Sequence, residues 1–438
     1  VVQSNGEAPL QALILALDAL SEVANPLESV TAKAITNISR IGADQAPIDL
    51  GISRAAMAAI GDPDYDEFFG RIARFCPENT MRARLLESIA LPVEGSRGCF
   101  AKCDFCQNPL ITSTFRTLDG EAVAVRVQRL ADRYGAGRIY FADSVCNSWA
   151  DDYARRMIAD AFSLPAFMEL RVHAPERFFT RLALAGVNEV QLGIEALSTP
   201  LLNTMRKGTK VWQNVCAVKY LAELGIRSVS NIITHHPHST AADVAETRRV
   251  TAALSHLTRL SLSQFVVSYG SPFWAELTED QRAALSRGFV WLPESLRPYS
   301  TQRDLAYPYP STWLEPAMKA AWDSFRRDWQ VAHASPVTLR LTAHDRVEDS
   351  RGGKLRTHQL GAGAARLLDA AHHAPRRADL AQSAGLTESA ACAALEELRG
   401  GALLLDLDDR VLALPLRPRA WLLARAAEPT PAADARTR

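Results

Sequence analysis

The sequence has no long apolar run, no net charge and little cysteine. None of its 438 residues lies in a stretch of the roughly 18 to 20 apolar residues that a membrane-spanning helix needs, and we expect no signal peptide. The 49 basic and 49 acidic residues balance, which gives no support for general binding to nucleic acid or a membrane surface. These features predict a cytoplasmic protein of two or three domains.

The cysteines are few and unevenly placed. Seven cysteines, an odd number in a long chain, argue against a framework of disulfides. Three of them, Cys99, Cys103 and Cys106, lie in one octapeptide (CFAKCDFC) with the spacing C-x3-C-x2-C. Thiolates hold iron–sulfur clusters, and a four-iron cluster normally takes four. Because no fourth Cys or His follows in the loop, as zinc would require, the spacing predicts a [4Fe-4S] cluster with one open iron.

Between residues 92 and 268, apolar strand-like segments alternate with helical ones. The predicted strands are 138–143, 166–172, 187–195, 227–234 and 260–267, and the predicted helices are 120–134, 150–161, 175–185, 212–224 and 241–254. Six such units indicate an α/β protein whose parallel sheet closes into a partial (β/α)6 barrel. The cysteine loop follows the first strand, so it lies at the carboxyl end of the strands, where such folds place their sites.

The last part of the chain differs in character. Residues 359–423 predict three helices and a hairpin with Asp408 and Asp409 at its tip, a winged-helix-like order in which Thr387 caps the third helix. That helix is acidic and would repel phosphates, so we expect no nucleic-acid partner. Residues 271–358 lack a clear period and are expected to cover the barrel, and residues 424–438 are predicted to form a disordered tail.

Polar side chains follow several predicted strands at the end that carries the cysteine loop. They are Asp143 and Ser144 after the second strand, Glu195 after the fourth and Asn231 in the fifth. Glu169 and Arg171 alternate along the third strand and therefore share one face, which predicts a functional pair or a buried ion pair inside the barrel.

Two further groups near this end allow more than one interpretation. His235, His236 and His238 follow the fifth strand, but alternation puts them on different faces, which favours polar contacts over a metal site. Glu121 opens the helix after the cysteine loop. A carboxylate there either serves the helix N-terminus or reaches the open iron.

The cysteine spacing, with the aromatic Phe105 before the last cysteine, resembles the radical S-adenosylmethionine (SAM) superfamily. Residues 63–69, 92–106, 141–147, 167–171 and 191–195, with the winged-helix-like part, are similar to the cobalamin-dependent methyltransferases of that superfamily. The similarity is greatest to the branch that methylates C2 of tryptophan for the quinaldic acid of thiopeptide antibiotics. Residues 1–24 resemble the last βα unit of a doubly wound cobalamin-binding domain, residues 25–90 a connector, and residues 91–270 the radical SAM barrel.

This resemblance implies three cofactors, namely a [4Fe-4S] cluster, SAM and methylcobalamin. It implies that the three cysteines hold the cluster, that Asp143 or Ser144 binds the SAM amino group and that Glu195 lies against the adenosine. Arg171 would hold the SAM carboxylate, with Glu169 and Asn231 as further cofactor contacts. Glu121 is the candidate for the open iron, and we assign it and Arg171 as catalytic.

The implied substrate is tryptophan or a peptide precursor, with an electron donor as a further partner and no membrane. Only the last unit of a cobalamin domain is recognisable, and the chain has no D-x-H-x-x-G motif, so no lower-axial histidine is predicted. Two alternatives stay open. One is a radical SAM enzyme that modifies a ribosomal peptide and grips its leader with the winged-helix-like domain. The other is a non-enzymatic iron–sulfur sensor.

Overall fold

The structure is a computed structural model. It describes residues 57–426, except for 77, 109–113, 258–259, 288–305 and 334, together with short pieces at 14–15, 39–41 and 47–49. Apart from residues 14–15, the segment predicted to end a cobalamin domain, 1–24, lies outside the described residues, as does the tail from 427 onward.

The central feature is a row of six parallel strands arranged in chain order. They are β1 (Ala90–Val93), β2 (Arg138–Phe141), β3 (Ala166–Leu170), β4 (Val187–Leu192), β5 (Asn231–Thr234) and β6 (Ser261–Gln264). The short strand Arg227–Ser228 pairs with β4, and a bridge from Glu195 to Ile232 continues the row to β5. No pairing joins β6 back to β1 within the described ranges, so the barrel is partial, and the predicted (β/α)6 class is confirmed.

Five helices connect these strands on the outside of the barrel. They are α1 (Gly120–Tyr134), α2 (Ala150–Ala159), α3 (Glu176–Leu184), α4 (Val211–Leu224) and α5 (Ala241–Ala253). Local signals fix their ends. Asp119 accepts a hydrogen bond from the Glu121 N–H at the start of α1, and Gly135, with φ 63°, ends it in the left-handed region. Their apolar faces, such as Val123, Val127 and Leu130 of α1, are buried against the sheet.

The strands are shorter than predicted at their carboxyl ends. The predicted strand 187–195 stops at Leu192, and the predicted strand 166–172 stops at Leu170. Glu195 instead adopts a positive φ of 61°, which turns the chain away from the sheet. The polar residues predicted at these strand ends therefore lie on irregular backbone around the mouth of the barrel, where side chains can converge.

Shorter elements surround the barrel. Helices Asp66–Phe75 and Asn79–Ser88 precede it, and Ser96–Arg97 pairs antiparallel with Arg116–Thr117 on either side of the cysteine loop. After it, Val266–Ser268 pairs with Ala306–Pro308, and the helices are Pro272–Glu276, Glu279–Arg287 and Pro316–Ala332. Helix Pro316–Ala332 packs beside α5, and its Trp322 Nε1 donates to Oγ of Ser239, just before α5, at 2.9 Å. Remaining short pieces are Ser39–Ile41 with Pro47–Asp49, Met57–Ala59, Thr199–Thr204 and Ser311–Trp313.

The C-terminal part contains the three helices and the hairpin that the sequence predicts. The helices are Ala362–Ala371, Leu380–Ser383 after the 3-10 turn Arg377–Asp379, and Glu388–Gly400, and the hairpin is Leu404–Leu407 with Arg410–Ala413. Thr387 caps the third helix by accepting from the Ala390 N–H, as predicted. Helix Arg419–Ala426 follows. None of the helices in the part of the chain that the structure describes is long and apolar enough to cross a membrane.

The segment before these helices is more regular than the sequence indicated. Leu339–Ala343, Arg346–Asp349 and Arg356–Gln359 form a three-stranded antiparallel sheet. Leu416 continues one edge of this sheet, because the Leu341 N–H donates to Leu416 O at 2.8 Å. The sheet therefore belongs with the C-terminal helices and hairpin, although residues 339–358 fall within the segment expected to cover the barrel. The domain boundaries themselves stay predictions.

Candidate active site

The cysteine loop lies at the mouth of the barrel. The antiparallel pair Ser96–Arg97 and Arg116–Thr117 closes its base, and Cys103 at its centre is buried, with 5% of the residue exposed. Cys99 and Cys106 are half-buried. Their Sγ atoms each accept a main-chain N–H at 3.4 Å, from Ala101 and Asn108 respectively. The loop thus presents three thiols of limited solvent access from a fixed backbone.

The three thiols share one cavity of about 300 Å³ with side chains from the carboxyl ends of several strands. This volume lies at the lower end of the range for small-molecule sites. The lining residues are Cys99, Cys103, Phe105, Cys106, Asn108, Ser144, Glu169, Leu170, Arg171, Gln191, Gly193, Glu195, Lys207 and Asn231. The structure therefore brings together eight of the ten predicted site residues.

Arg171 is a buried cation that contacts the central cysteine. Its guanidinium hydrogen-bonds the Cys103 thiol and also donates from Nη2 to Lys207 O. Its main chain is fixed by Asn147, which accepts from the Arg171 N–H at 2.7 Å and donates to Arg171 O at 3.1 Å. The predicted pairing of Arg171 with Glu169 is not among the described ion pairs. Both side chains instead line the cavity.

Lys207 is a second buried cation, which the sequence analysis missed. Only 6% of Lys207 is exposed, and its Nζ lies 2.9 Å from Glu195 Oε1. Gly193 makes room for this pair, because a Cβ there would lie 2.6 Å from Lys207 Nζ. Gln191 and Asn108 also line the cavity without having been predicted. The sequence offered only a weak signal for Lys207, because Arg206 and Lys207 form a basic pair beside a glycine in the segment after β4.

Burial is the largest cause of the pKa shifts of Cys103, Cys106 and Glu169 in the cavity. Burial raises the pKa of the Cys103 thiol, and the nearby Lys207 and Arg171 cations act against this rise. Burial likewise raises the pKa of Cys106. Burial raises the pKa of Glu169, with a smaller contribution in the same direction from neighbouring carboxylates. The carboxylates of Glu169 and Glu195 and the cations of Arg171 and Lys207 line one confined cavity. Such a mixture of charges suits a zwitterionic ligand.

Two predicted residues are not in the cavity. Glu121 is exposed on the first turn of α1, where a carboxylate favours the positive end of the helix dipole. Asp143 is buried and turned toward the base of the cysteine loop. It accepts from the Gly95 N–H at 3.0 Å, from Ser96 Oγ at 2.6 Å and from Trp149 Nε1 at 3.1 Å. Asp143 therefore holds the backbone that leads to Cys99, and its neighbour Ser144 faces the cavity.

The raised pKa of Asp143 predicts a measurable pH dependence of the free energy of unfolding. Burial raises its pKa from 3.8 to about 6, against the hydrogen bonds from Ser96, Gly95 and Trp149. Because the folded-state pKa lies above that of the unfolded chain, this contribution to stability is complete below about pH 4 and is lost as the pH rises through about 6. We expect the free energy of unfolding to fall by about 3 kcal/mol over this range relative to Asp143→Asn. Urea unfolding of both proteins at pH 4 and 7 checks this, and parallel pH profiles would contradict it.

The expected separation of the three histidines holds for His235 alone, because the rings of His236 and His238 lie 5.6 Å apart and both pack near Phe273. His235 Nε2 lies 3.1 Å from Asp323 Oδ1 of helix Pro316–Ala332, and His236 is directed at the cysteine loop. His238 packs beside Phe273. In the described ranges, no three His, Cys, Asp or Glu side chains converge on a point that could hold a single metal ion.

The residues present fit a [4Fe-4S] cluster. In such a cluster each thiolate binds its own iron, so the three sulfurs do not need to converge on one point. The cavity supplies three thiols, and the Arg171 and Lys207 cations can offset the negative charge of bound thiolates. No fourth cysteine lines it among the described residues, because Cys146 is buried elsewhere and Cys76, Cys216 and Cys392 lie outside it. One iron would therefore remain open to a ligand in the cavity.

Comparison with known proteins agrees with this site. Residues 93–250 match the model of the Radical SAM superfamily. This range contains the three cysteines and four of the six barrel strands, from Val93 at the end of β1 to β5 and most of α5. Residues 93–250 therefore form a radical SAM domain, which in that superfamily is the catalytic domain that uses a [4Fe-4S] cluster and SAM.

Two curated relatives match in part. One is a Methanocaldococcus jannaschii protein with the name of a methylthiotransferase, 27% identical over 174 residues, which are 36% of this chain and 37% of that protein. The other, from Pyrococcus horikoshii, is named as an uncharacterized methyltransferase, with 25% identity over 182 residues, 40% of this chain and 39% of that protein. The chain thus spans less than half the length of either relative.

Solved structures share the fold. The cobalamin-dependent SAM radical enzyme OxsB, with aqua-cobalamin bound, superimposes with a TM-score of 0.51 and 14% identity over 75% of this chain and 55% of that one. The radical SAM methyltransferase TsrM from Kitasatospora setae, with tryptophan and a SAM analogue bound, superimposes with a TM-score of 0.51. The two sequences are 16% identical over 76% of this chain and 66% of that one. At these identities the likeness establishes a common α/β architecture.

Proposed function

We propose that this protein is a cobalamin-linked, iron–sulfur and SAM-dependent C-methyltransferase that methylates C2 of tryptophan in thiopeptide biosynthesis. The observation that carries the proposal is the cavity at the barrel mouth, where three thiols meet two buried cations and two carboxylates. The methyltransferase name of the Pyrococcus horikoshii relative supports the reaction class, and the tryptophan bound to TsrM supports the acceptor.

In this proposal the three cysteines hold the cluster, which supplies an open iron for the amino and carboxylate groups of SAM. Arg171 and Lys207 are the cations that would neutralise the SAM carboxylate, because both are buried and directed into the cavity. Glu169 and Ser144 offer acceptors to the SAM amino group. Glu195 and Asn231, which line the cavity on its β4 and β5 side, would make polar contacts to the adenosine.

The acceptor chemistry fits a confined cavity. Indole C2 is a weak nucleophile, so its methylation needs a strong methyl electrophile held close and without competing water. Methylcobalamin would supply that electrophile, and SAM would restore its methyl group. The predicted cobalamin segment, residues 1–24, lies outside the described residues apart from 14–15. The cavity residues act by binding, orienting and excluding water. Glu121, exposed on α1, has no part in this scheme.

The experiment that tests the proposal is anaerobic reconstitution with iron, sulfide and cobalamin, followed by SAM and tryptophan. We expect S-adenosylhomocysteine and 2-methyltryptophan in matching amounts by mass spectrometry. Deuterium at indole C2 should be lost from the product, whereas deuterium elsewhere on the ring should be kept. Turnover of SAM without methylated tryptophan would contradict the proposed acceptor.

A peptide substrate is the second candidate, and one observation favours it. In the three-stranded C-terminal sheet, strand Arg356–Gln359 pairs only with Arg346–Asp349 within the described residues, and Leu355 beside it is 64% exposed. An open strand edge can accept an extended peptide as a further strand. A peptide-modifying radical enzyme would release 5′-deoxyadenosine in the presence of reductant and peptide, which distinguishes it from the tryptophan methyltransferase.

Lys207 provides a test of the SAM side of the cavity. Replacing it by methionine keeps most of the apolar stem but removes the ammonium, and a charged hydrogen bond contributes roughly 1.5–3 kcal/mol. We expect Lys207→Met to raise the Kd for SAM by about 10–100-fold, as measured by calorimetry on the anaerobic, cluster-loaded protein. Arg206→Met is the matched control, since Arg206 is the adjacent cation but is largely exposed. Equal affinities in the two variants would exclude Lys207 from SAM binding.

A further inference from the structure

A buried pair, Asp104 and His236, joins the cysteine loop to the loop after β5. Asp104 lies between Cys103 and Cys106 in the sequence, and only 2% of it is exposed. Its main chain is held from two sides, because its N–H donates to Met205 O at 3.0 Å and its oxygen accepts from the Phe273 N–H at 2.8 Å. The centre of the cysteine loop is therefore fixed by segments that follow β4 and β6.

The Asp104 carboxylate faces the imidazole of His236. Asp104 Oδ2 lies 3.3 Å from His236 Nε2, and His236 is fully buried. The His238 N–H donates to His236 Nδ1 at 3.2 Å, so Nδ1 is an acceptor and a neutral His236 carries its proton on Nε2. Nε2 thus carries the proton on the side of Asp104, but its contact with Oδ2 is not aligned as a hydrogen bond, and Nε2 has no hydrogen-bond partner among the described residues. Phe265 packs edge-on against the ring, with centroids 4.6 Å apart, and holds its orientation.

The other carboxylate oxygen gives a second reason to assign a role to this pair. Asp104 Oδ1 is buried and has no hydrogen-bond partner among the described residues. An unpaired buried carboxylate oxygen costs stability, and such groups are kept where a function requires them. A loop that only had to be packed would be served as well by an apolar residue at this position.

We propose that Asp104 and His236 are positioning residues that set the spacing of Cys103 and Cys106 and the reduction potential of the cluster that these cysteines hold. The potential of an iron–sulfur cluster depends on nearby charge, hydrogen bonds and solvent exposure. A carboxylate one residue from one ligand and two from another makes the reduced cluster less favourable, and His236 fixes where that charge lies. This role holds for either methyl acceptor, because it concerns the cluster alone.

The test uses Asp104→Asn, which removes the charge and keeps the shape, in the full chain after anaerobic reconstitution. The readouts are iron and sulfide per chain, the EPR spectrum of the reduced cluster and its midpoint potential. We expect a more positive potential, by about 59 mV or more, which is a tenfold change in the oxidised-to-reduced ratio for one electron. Asp323→Asn is the matched control, because Asp323 pairs with the adjacent His235 at 3.1 Å and its other described ion pair is with Lys319 of its own helix. We expect it to leave the potential and the EPR spectrum unchanged.

If Asp104→Asn does not fold or loads no cluster, a second pair of variants tests whether Asp104 and His236 position the cluster. His236→Gln keeps an N–H donor and should preserve the EPR spectrum, whereas His236→Leu should broaden or shift it at an unchanged melting temperature. Loss of the cluster in folded Asp104→Asn but not in Asp323→Asn also supports the positioning role. The proposal is overturned if Asp104→Asn matches Asp323→Asn in potential and spectrum, or if His236→Leu matches His236→Gln.

Discussion

Cys103→Ala is expected to abolish the iron–sulfur cluster and, with it, SAM-dependent turnover. Cys103 is the most buried of the three thiols, and Arg171 hydrogen-bonds its sulfur. Loss of an outer partner of a metal ligand typically costs 10–100-fold in metal affinity or activity, and loss of the ligand itself should cost more. We therefore expect the reconstituted variant to lack the brown charge-transfer absorbance and to show no methylated product. Iron analysis, absorbance and product mass on the same sample check this.

The matched control is Cys392→Ala. Cys392 is exposed on helix Glu388–Gly400 and does not line the cavity. We expect this variant to bind as much iron as the parent and to turn over at the same rate. If Cys103→Ala retained the full iron content and turnover, the cluster would not be held by this loop, and the proposed function would fail with it.

The sequence predicted the barrel and the cysteine loop because both depend on local signals. Helix α1 begins and ends where the capping residues Asp119 and Gly135 require, and the apolar period of the strands marks which segments are buried on both faces. The C-x3-C-x2-C spacing is likewise contained in eight residues. Such signals need no knowledge of which distant segments meet.

The rest of the cavity could not be predicted in this way, because its residues meet only in the folded chain. Arg206 and Lys207 are neighbours in sequence, yet only the fold exposes the first and buries the second beside Glu195. Glu121 shows the opposite case. It lies close to the cysteine loop in sequence, but the start of α1 directs it to solvent. Asp143 stands at the predicted strand end, while its carboxylate is held by Gly95, Ser96 and Trp149.

Glu223→Gln is expected to have the largest effect on stability. Glu223 of α4 is fully buried and pairs at 2.7 Å with both Lys219 Nζ and Arg417 Nη2, and Lys219 Nζ also lies 2.6 Å from His372 Nδ1. These contacts join the barrel to the C-terminal part of the chain. Breaking a buried ion pair by removing one partner costs about 3–5 kcal/mol, because the remaining charge is left uncompensated. We expect a loss of this size in the free energy of unfolding at pH 7, measured by urea denaturation.

The pH dependence of this loss follows from the pKa of Glu223. Burial acts to raise that pKa, but Lys219 and Arg417 outweigh it and lower the pKa below its ordinary value of 4.5. The stabilisation is therefore complete above about pH 4.5 and is lost as the pH falls through the folded-state pKa. The difference between the parent and Glu223→Gln should be constant near neutral pH and shrink in acid.

Two further variants separate the ion network from a general effect of the substitution. Glu67→Gln removes an exposed carboxylate, 79% accessible in its pair with Arg71, and should leave stability unchanged because exposed pairs contribute little. Lys219→Met added to Glu223→Gln should recover part of the loss, since it removes a charge that has lost its partner. If Glu223→Gln behaved like Glu67→Gln, the buried contacts would not stabilise the packing of the barrel against the C-terminal part of the chain. Such weak contacts would let the C-terminal part of the chain move relative to the cavity, which would favour a role in delivering a peptide over that of a fixed support.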